Sequence, residues 1–143
     1  MSTQTAAEPA TAPETEADTR TPFERLGGRD VVQAITDRFY DLMDQDPAYA
    51  RLRAMHASDL TPMRSSLAGF LTGWSGGPRD WWEKNPGKCM MSMHSPFVID
   101  KEVAGQWAAA MKRAIADVAP ADTEIADEMA MVLERMALGM GRA

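Results

Sequence analysis

Between residues 61 and 74 the apolar side chains Met63, Leu67, Phe70, Leu71 and Trp74 fall at offsets of 0, 4, 7, 8 and 11, a spacing that an α-helix turns onto one face. The same period recurs along most of the chain, and no segment alternates with period two. Elements patterned in this way must bury their stripes against other helices, so the expected fold class is all-α, with about five main helices. Val31, Val32, Ile35, Phe39, Leu42 and Met43 form a stripe after the break at Gly27-Gly28. Asp46-Pro47 pairs a capping side chain with a residue tolerated in the first turn, and it opens a short helix through about Arg53. Thr61-Pro62 repeats the device, and Gly76-Gly77-Pro78 ends that helix. Asp100 is expected to cap a longer helix whose face carries Val103, Trp107, Ala110, Met111, Ile115 and Val118, with Pro120 as its stop. The last helix runs from about Asp122, with Ile125, Met129, Val132, Leu133, Met136 and Met140 inward. Residues 75–88 read as a long connection rich in Gly and Trp, of the kind more often functional than accidental in a small helical domain. Lys88 to His94 allows about two further helical turns before Ser95-Pro96.

The chain has 143 residues, enough for one ordinary domain. Residues 1–20 contain no Val, Ile, Leu, Phe, Tyr or Trp and cannot offset the entropy of ordering a backbone, so a disordered acidic tail is expected there, with the folded domain over 21–143. Glu8, Glu14, Glu16 and Asp18 against Arg20 place −3 of the formal −6 in that tail. Without a basic stripe to neutralise phosphates, nucleic acid is excluded as a partner. No apolar run approaches the roughly 18 residues of a membrane span. With no apolar segment near the N-terminus and one cysteine, Cys89, which cannot form an intrachain disulfide, a cytoplasmic location is expected.

No Gly-rich phosphate loop, nucleophile elbow, paired-His zinc motif or acidic calcium loop occurs. Two His and one Cys cannot build a zinc site without carboxylates. A cofactor needing only one protein ligand fits better, and haem is one, since it requires an apolar slot between helices and a single axial side chain. His94 is the better axial candidate, at the end of Cys89-Met90-Met91-Ser92-Met93. On spacing alone a lone His beside methionines is more often a packed or surface residue, and Cys89 fits a small buried hydrophobe better than a thiolate ligand. The 12 Met residues likewise read first as core filler and second as pocket walls.

Several pieces taken in order resemble the group II truncated haemoglobins, from about Pro22 to Leu138. They are Phe-Glu-Arg-Leu-Gly-Gly at 23–28, Arg-Phe-Tyr-Asp-Leu-Met at 38–43, Arg-Ala-Met-His at 53–56, Phe-Leu-Thr-Gly-Trp-Ser-Gly-Gly-Pro at 70–78 and Met-His-Ser-Pro-Phe at 93–97, with Trp107 thirteen residues after His94. The resemblance implies a two-on-two helical sandwich holding haem b (iron protoporphyrin IX), with His94 as the proximal iron ligand. It places Tyr40 and Trp107 on the distal side as donors to bound ligand, and His56 at an aromatic or His position beside them. For His56 the order of expectation is distal donor, loop residue, then sixth iron ligand. Without the resemblance, Trp107 and Tyr40 would both read as core residues. Phe39, Met63, Leu67, Trp81, Met90, Phe97, Val98 and Met111 are the expected apolar contacts of the cofactor, with Met63 standing where it could plug the route to the iron. Members of the family usually carry several basic residues before the proximal His to face the propionates, whereas here only Lys88 keeps a positive charge between 87 and 93. Lys88, Arg79 and Arg64 are the expected substitutes.

The implied function is reversible binding of O₂, with NO, CO or peroxide as further ligands, in redox chemistry such as NO dioxygenation or peroxide reduction more than in bulk oxygen transport. An unidentified reductase would restore the ferrous state, and the protein would be a monomer or homodimer. The alternatives are a helical interaction module with weak or lost haem and a gas sensor signalling through the acidic tail.

Overall fold

Several of the described helices begin where a specific side chain satisfies a terminal backbone group. The computed structural model describes residues 19–86 and 99–141, and among these there is no strand. The acidic tail up to residue 18, the expected turns at Lys88 to His94, and Met90, Phe97 and Val98 lie outside the described residues.

Helix α1 (Pro22–Leu26) is closed by a capping box. Thr21 Oγ1 accepts from the Glu24 N–H at 3.1 Å, and the Glu24 carboxylate accepts from the Thr21 N–H at 3.0 Å. This Thr-x-x-Glu signal stands in the sequence just before Phe23, from which helical spacing is expected. Gly27 ends α1 at φ +123°, and a Cβ there would lie 2.4 Å from Val31 Cγ2, so only glycine fits. Helix α2 (Arg29–Gln45) buries Val32, Ile35, Thr36, Phe39, Tyr40, Leu42 and Met43. Asp46 then accepts from the Ala48 N–H at 2.9 Å, and the expected short helix begins as a 3₁₀ turn at Pro47–Tyr49 before continuing as α3 (Ala50–Ala54).

Helix α4 (Thr61–Trp74) starts differently from expectation. Thr61 is its first helical residue and not its cap; the helix is entered through Leu60, and the Thr61 N–H donates to Asp59 Oδ1 at 3.0 Å. An aspartate two residues back satisfies the terminal donor as well as a side chain at the cap would. Asp100 caps as expected, accepting from the Val103 N–H at 2.9 Å to open α6 (Lys101–Val118), and Asp122, where the last helix was expected to start, accepts from the Ile125 N–H at 3.2 Å to open α7 (Thr123–Met140). Ala119 takes the left-handed conformation at φ 55° between α6 and Pro120.

The stretch 75–88 was expected as a loop, but it contains a five-residue helix, α5 (Asp80–Lys84). A helix this short is unstable alone, and its support is tertiary. Gly69 and Gly73 on α4 admit Trp81 and Trp82, since a Cβ at those positions would lie 2.7 Å from Trp81 Cβ and 2.3 Å from Trp82 Cδ1. Trp82 Nε1–H donates to the Phe70 carbonyl at 3.2 Å, and the Trp82 ring stacks on Phe70 with centroids 5.0 Å apart.

The four long helices form two pairs, α2 against α4 and α6 against α7, joined face to face through α2 and α6. Phe39, Ile35, Leu71, Met111 and Leu133 are fully enclosed at the centre. This is the two-on-two arrangement implied by the sequence.

Candidate functional site

Side chains from both pairs and from the short elements enclose a cavity of about 260 Å³. The stripe of α4 supplies Met63, Leu67 and Phe70, α5 supplies Trp81, and α6 supplies Val103 and Trp107. The end of α7 contributes Met140. Side chains with a polar atom are few in the described lining: Tyr40, His56, Ser66, Trp81 and Trp107.

Tyr40 reaches the cavity from α2, buried at 3% exposure. Its hydroxyl has no hydrogen-bond partner among the described residues, which is unusual for a buried phenol. Burial pushes its pKa well above the ordinary tyrosine value, opposed by the positive charge of Arg64, so the group stays a neutral O–H donor. Trp107 lines the same cavity and is partly buried. Phe39 was expected as a cavity contact but lies behind the wall at 0% exposure. Its ring meets Tyr40 edge-on at 5.0 Å and Trp107 at 5.1 Å, so it props both polar aromatics into place.

His56 lies just beyond α3 with its ring edge-on to Tyr40 at 5.9 Å. Its Nδ1 is 2.8 Å from the Leu52 carbonyl oxygen. A carbonyl can only accept, so Nδ1 carries the proton, and in the neutral ring Nε2 then carries none. Donation from Nε2 to a cavity ligand, the first-ranked expectation for His56, therefore requires the protonated ring.

Two of the expected basic anchors, Arg64 and Arg79, are not in the described lining of the cavity. Arg64 turns to α2, where it pairs with Asp37 at 3.1 Å and Asp41 at 2.8 Å. Arg79 is exposed with its guanidinium 4.9 Å from the Trp82 ring centre. Met111 is also outside the lining, enclosed in the core at 1% exposure because its position on α6 faces the other helices. Met63, Leu67 and Trp81 are in the lining, and Met63 is exposed at 36% because it borders this space. His94, Lys88, Met90, Phe97 and Val98 are outside the described residues. Met55, Ser66, Phe70, Val103 and Met140 line the cavity without having been singled out. Phe70 was legible in principle, since it follows Leu67 by three residues on the same helical stripe.

Residues 21–141 match the sequence profile of the family described as bacterial-like globin. A curated group 2 truncated hemoglobin, YjbI of Bacillus subtilis, is 31% identical over 94 residues, covering 66% of this chain and 68% of that protein. The solved group II 2-on-2 hemoglobin of Agrobacterium tumefaciens superposes with a TM-score of 0.82 at 31% identity, covering 88% of this chain and 97% of the other. The truncated oxygen-avid haemoglobin of Bacillus subtilis superposes with a TM-score of 0.76 at 29% identity, covering 86% of this chain and all of the other, 100%. The chain belongs to the bacterial-like globin family, as a truncated haemoglobin of the two-on-two type. Membership implies that it binds haem, and through haem O₂ or another gas.

The residues fit that group. A flat apolar ring needs an apolar slot with a few converging polar atoms, and the described lining is apolar except for Tyr40, His56, Ser66 and the two indole N–H groups of Trp81 and Trp107. The Tyr40 hydroxyl supplies a polar atom that has no partner among the described residues. Among the described residues no cluster of three or more His, Cys, Asp or Glu could hold a bare ion. No described helix is long and apolar enough to cross a membrane.

Proposed function

We propose that the protein holds haem b through His94 and retains O₂ for redox chemistry with NO or peroxide, with Tyr40 and Trp107 as donors to the bound ligand. Haem, when bound, would supply a redox-active iron able to take up a diatomic gas. The observation that carries the reading is the Tyr40 O–H, buried and without a partner among the described residues, at the wall of an apolar cavity that Trp107 also lines. A hydrogen bond to a group bearing charge contributes about 1.5 to 3 kcal/mol, so each donor slows ligand release by roughly tenfold or more. Two donors favour retention over delivery, in keeping with the word oxygen-avid attached to the Bacillus subtilis protein. An unidentified reductase is needed to return the iron to the ferrous state.

His94 as axial ligand is supported by the Met-His-Ser-Pro-Phe segment at 93–97 and by its resemblance to the family's proximal segment. The described lining contains no Arg or Lys, which leaves Lys88 and Arg79 as the proposed propionate partners and favours faster haem loss than in relatives with several basic residues. Absorption spectra of the purified protein in ferric, ferrous and CO-treated forms test the proposal. A strong haem band that His94→Ala abolishes or changes supports it. Colourless protein that stays apo with added hemin supports the helical interaction module instead, and an unaltered five-coordinate spectrum in His94→Ala overturns the ligand assignment. Trp107→Phe is expected to raise the O₂ dissociation rate about tenfold.

A further inference from the structure

Arg64 follows Met63 on α4, yet its guanidinium does not enter the cavity that Met63 lines. It crosses to α2 instead. Nη1–H donates to both the carboxylate and the backbone carbonyl of Asp37 at 3.1 Å, and Nη2–H donates to Asp41 Oδ1 at 2.8 Å. Asp37 and Asp41 are four residues apart on one helix and flank Tyr40 in sequence, so the clamp and the phenol are built on the same rigid element. The result is that Arg64 Cζ stands 5.9 Å from the centre of the Tyr40 ring, within the range of a cation–π contact.

Two exposed carboxylates around an arginine make, by themselves, only a weak surface ion pair. Here the cation is the least exposed member, at 25% of its side chain against 45% for Asp37 and 42% for Asp41. Water therefore screens the carboxylates more than it screens the face of the guanidinium toward Tyr40. A cation over the π face of a phenol favours negative charge on the ring and its oxygen, which makes the O–H a stronger donor. Arg64 acts on the Tyr40 hydroxyl in that direction, lowering a pKa that burial raises.

We infer that Arg64 is a positioning residue: clamped by Asp37 and Asp41, it orients and polarises the Tyr40 phenol for donation into the cavity. The inference rests on Tyr40 being the donor to ligand, as proposed above, and it assigns to Arg64 a role other than holding a propionate.

The test uses the full-length holoprotein and two readouts, the O₂ dissociation rate and the C–O stretching band of the CO complex in the infrared. Arg64→Gln is expected to raise the dissociation rate about two- to fivefold and to move the C–O band to higher wavenumber. Arg64→Lys should recover part of both effects, and Asp41→Asn, which loosens the clamp, should give a smaller change of the same sign. In a Tyr40→Phe background Arg64→Gln should change neither readout. The inference is overturned if Arg64→Gln and Asp41→Asn leave both readouts at wild-type values while Tyr40→Phe shifts them, or if the Arg64→Gln effect persists at full size without the phenol. A Tyr40→Phe protein indistinguishable from wild type overturns the donor reading itself, and this inference with it.

Discussion

Gly73→Ala adds one methyl group to α4 and sets two effects of known size against each other. In a helix interior the change from glycine is favourable by about 1 kcal/mol, because the unfolded chain loses freedom. At this position the new Cβ would stand 2.3 Å from Trp82 Cδ1 and 2.4 Å from Trp82 Nε1, distances that no side-chain pair sustains. Trp82 must move, and it is held on one side by its hydrogen bond to the Phe70 carbonyl and its stacking on Phe70, and on the other by Trp81 and Arg79. Overpacking costs about 1 to 3 kcal/mol and a lost hydrogen bond about 1 kcal/mol, so the net change is a destabilisation of about 1 to 3 kcal/mol. Since Phe70 and Trp81 line the cavity, the same displacement should accelerate haem loss. Gly139→Ala is the control: it lies on α7, exposed, with nothing within 4 Å of the added carbon, and should stabilise by about 0.5 to 1 kcal/mol. Urea denaturation of the holoprotein and the rate of hemin transfer to an excess of an apo acceptor measure both variants. If Gly73→Ala gains stability as Gly139→Ala does, with hemin transfer unchanged, then α5 is not held by this contact and the explanation of its existence is wrong.

Phe39→Ala should cost about 3 to 5 kcal/mol and also raise the ligand dissociation rate, because both aromatics propped by Phe39 lose their support; equilibrium unfolding and stopped-flow measurements check the two effects. Asp122→Ala removes the α7 cap and the partner of Arg25 at 3.0 Å, and should cost about 1 to 2 kcal/mol in a denaturant titration, with Asp122→Asn recovering most of it through the cap. Tyr40 has a folded-state pKa raised by burial, so its neutral form stabilises the protein fully below the ordinary tyrosine value. As pH rises past about 10 the unfolded phenol ionises first and stability falls until the folded pKa is reached. Unfolding free energies measured between pH 9 and 11 should show this loss in the wild type and a smaller one in Tyr40→Phe.

The helical framework was legible because its signals are local. Asp100, Asp122 and the stripes at 3.6-residue spacing depend only on neighbours within a turn or two, and they placed α2, α4, α6 and α7 close to where they lie. Tyr40 and Trp107, which the resemblance to truncated haemoglobins places together on the distal side, line one cavity. The orientation of Arg64 was not legible, since a cation on α4 could have faced either the cavity or α2, and only the position of Asp37 and Asp41 across the helix pair decides between them. The packing of Phe39 and Met111 was not legible for the same reason: an apolar residue on an inward stripe can meet a cavity or a packed neighbour, and periodicity does not separate the two.

What the amino-acid order alone determined is the four long helices, the caps at Asp46 and Asp100 and the inventory of polar groups available to a buried site. The tertiary structure decided where α5 forms, which of two adjacent aromatics on α2 faces the cavity and which supports it, and which nitrogen of His56 carries its proton. The physical reason is range: capping and periodicity act over about four residues, whereas cavity walls, ion-pair choice and tautomer depend on atoms brought together from distant parts of the chain.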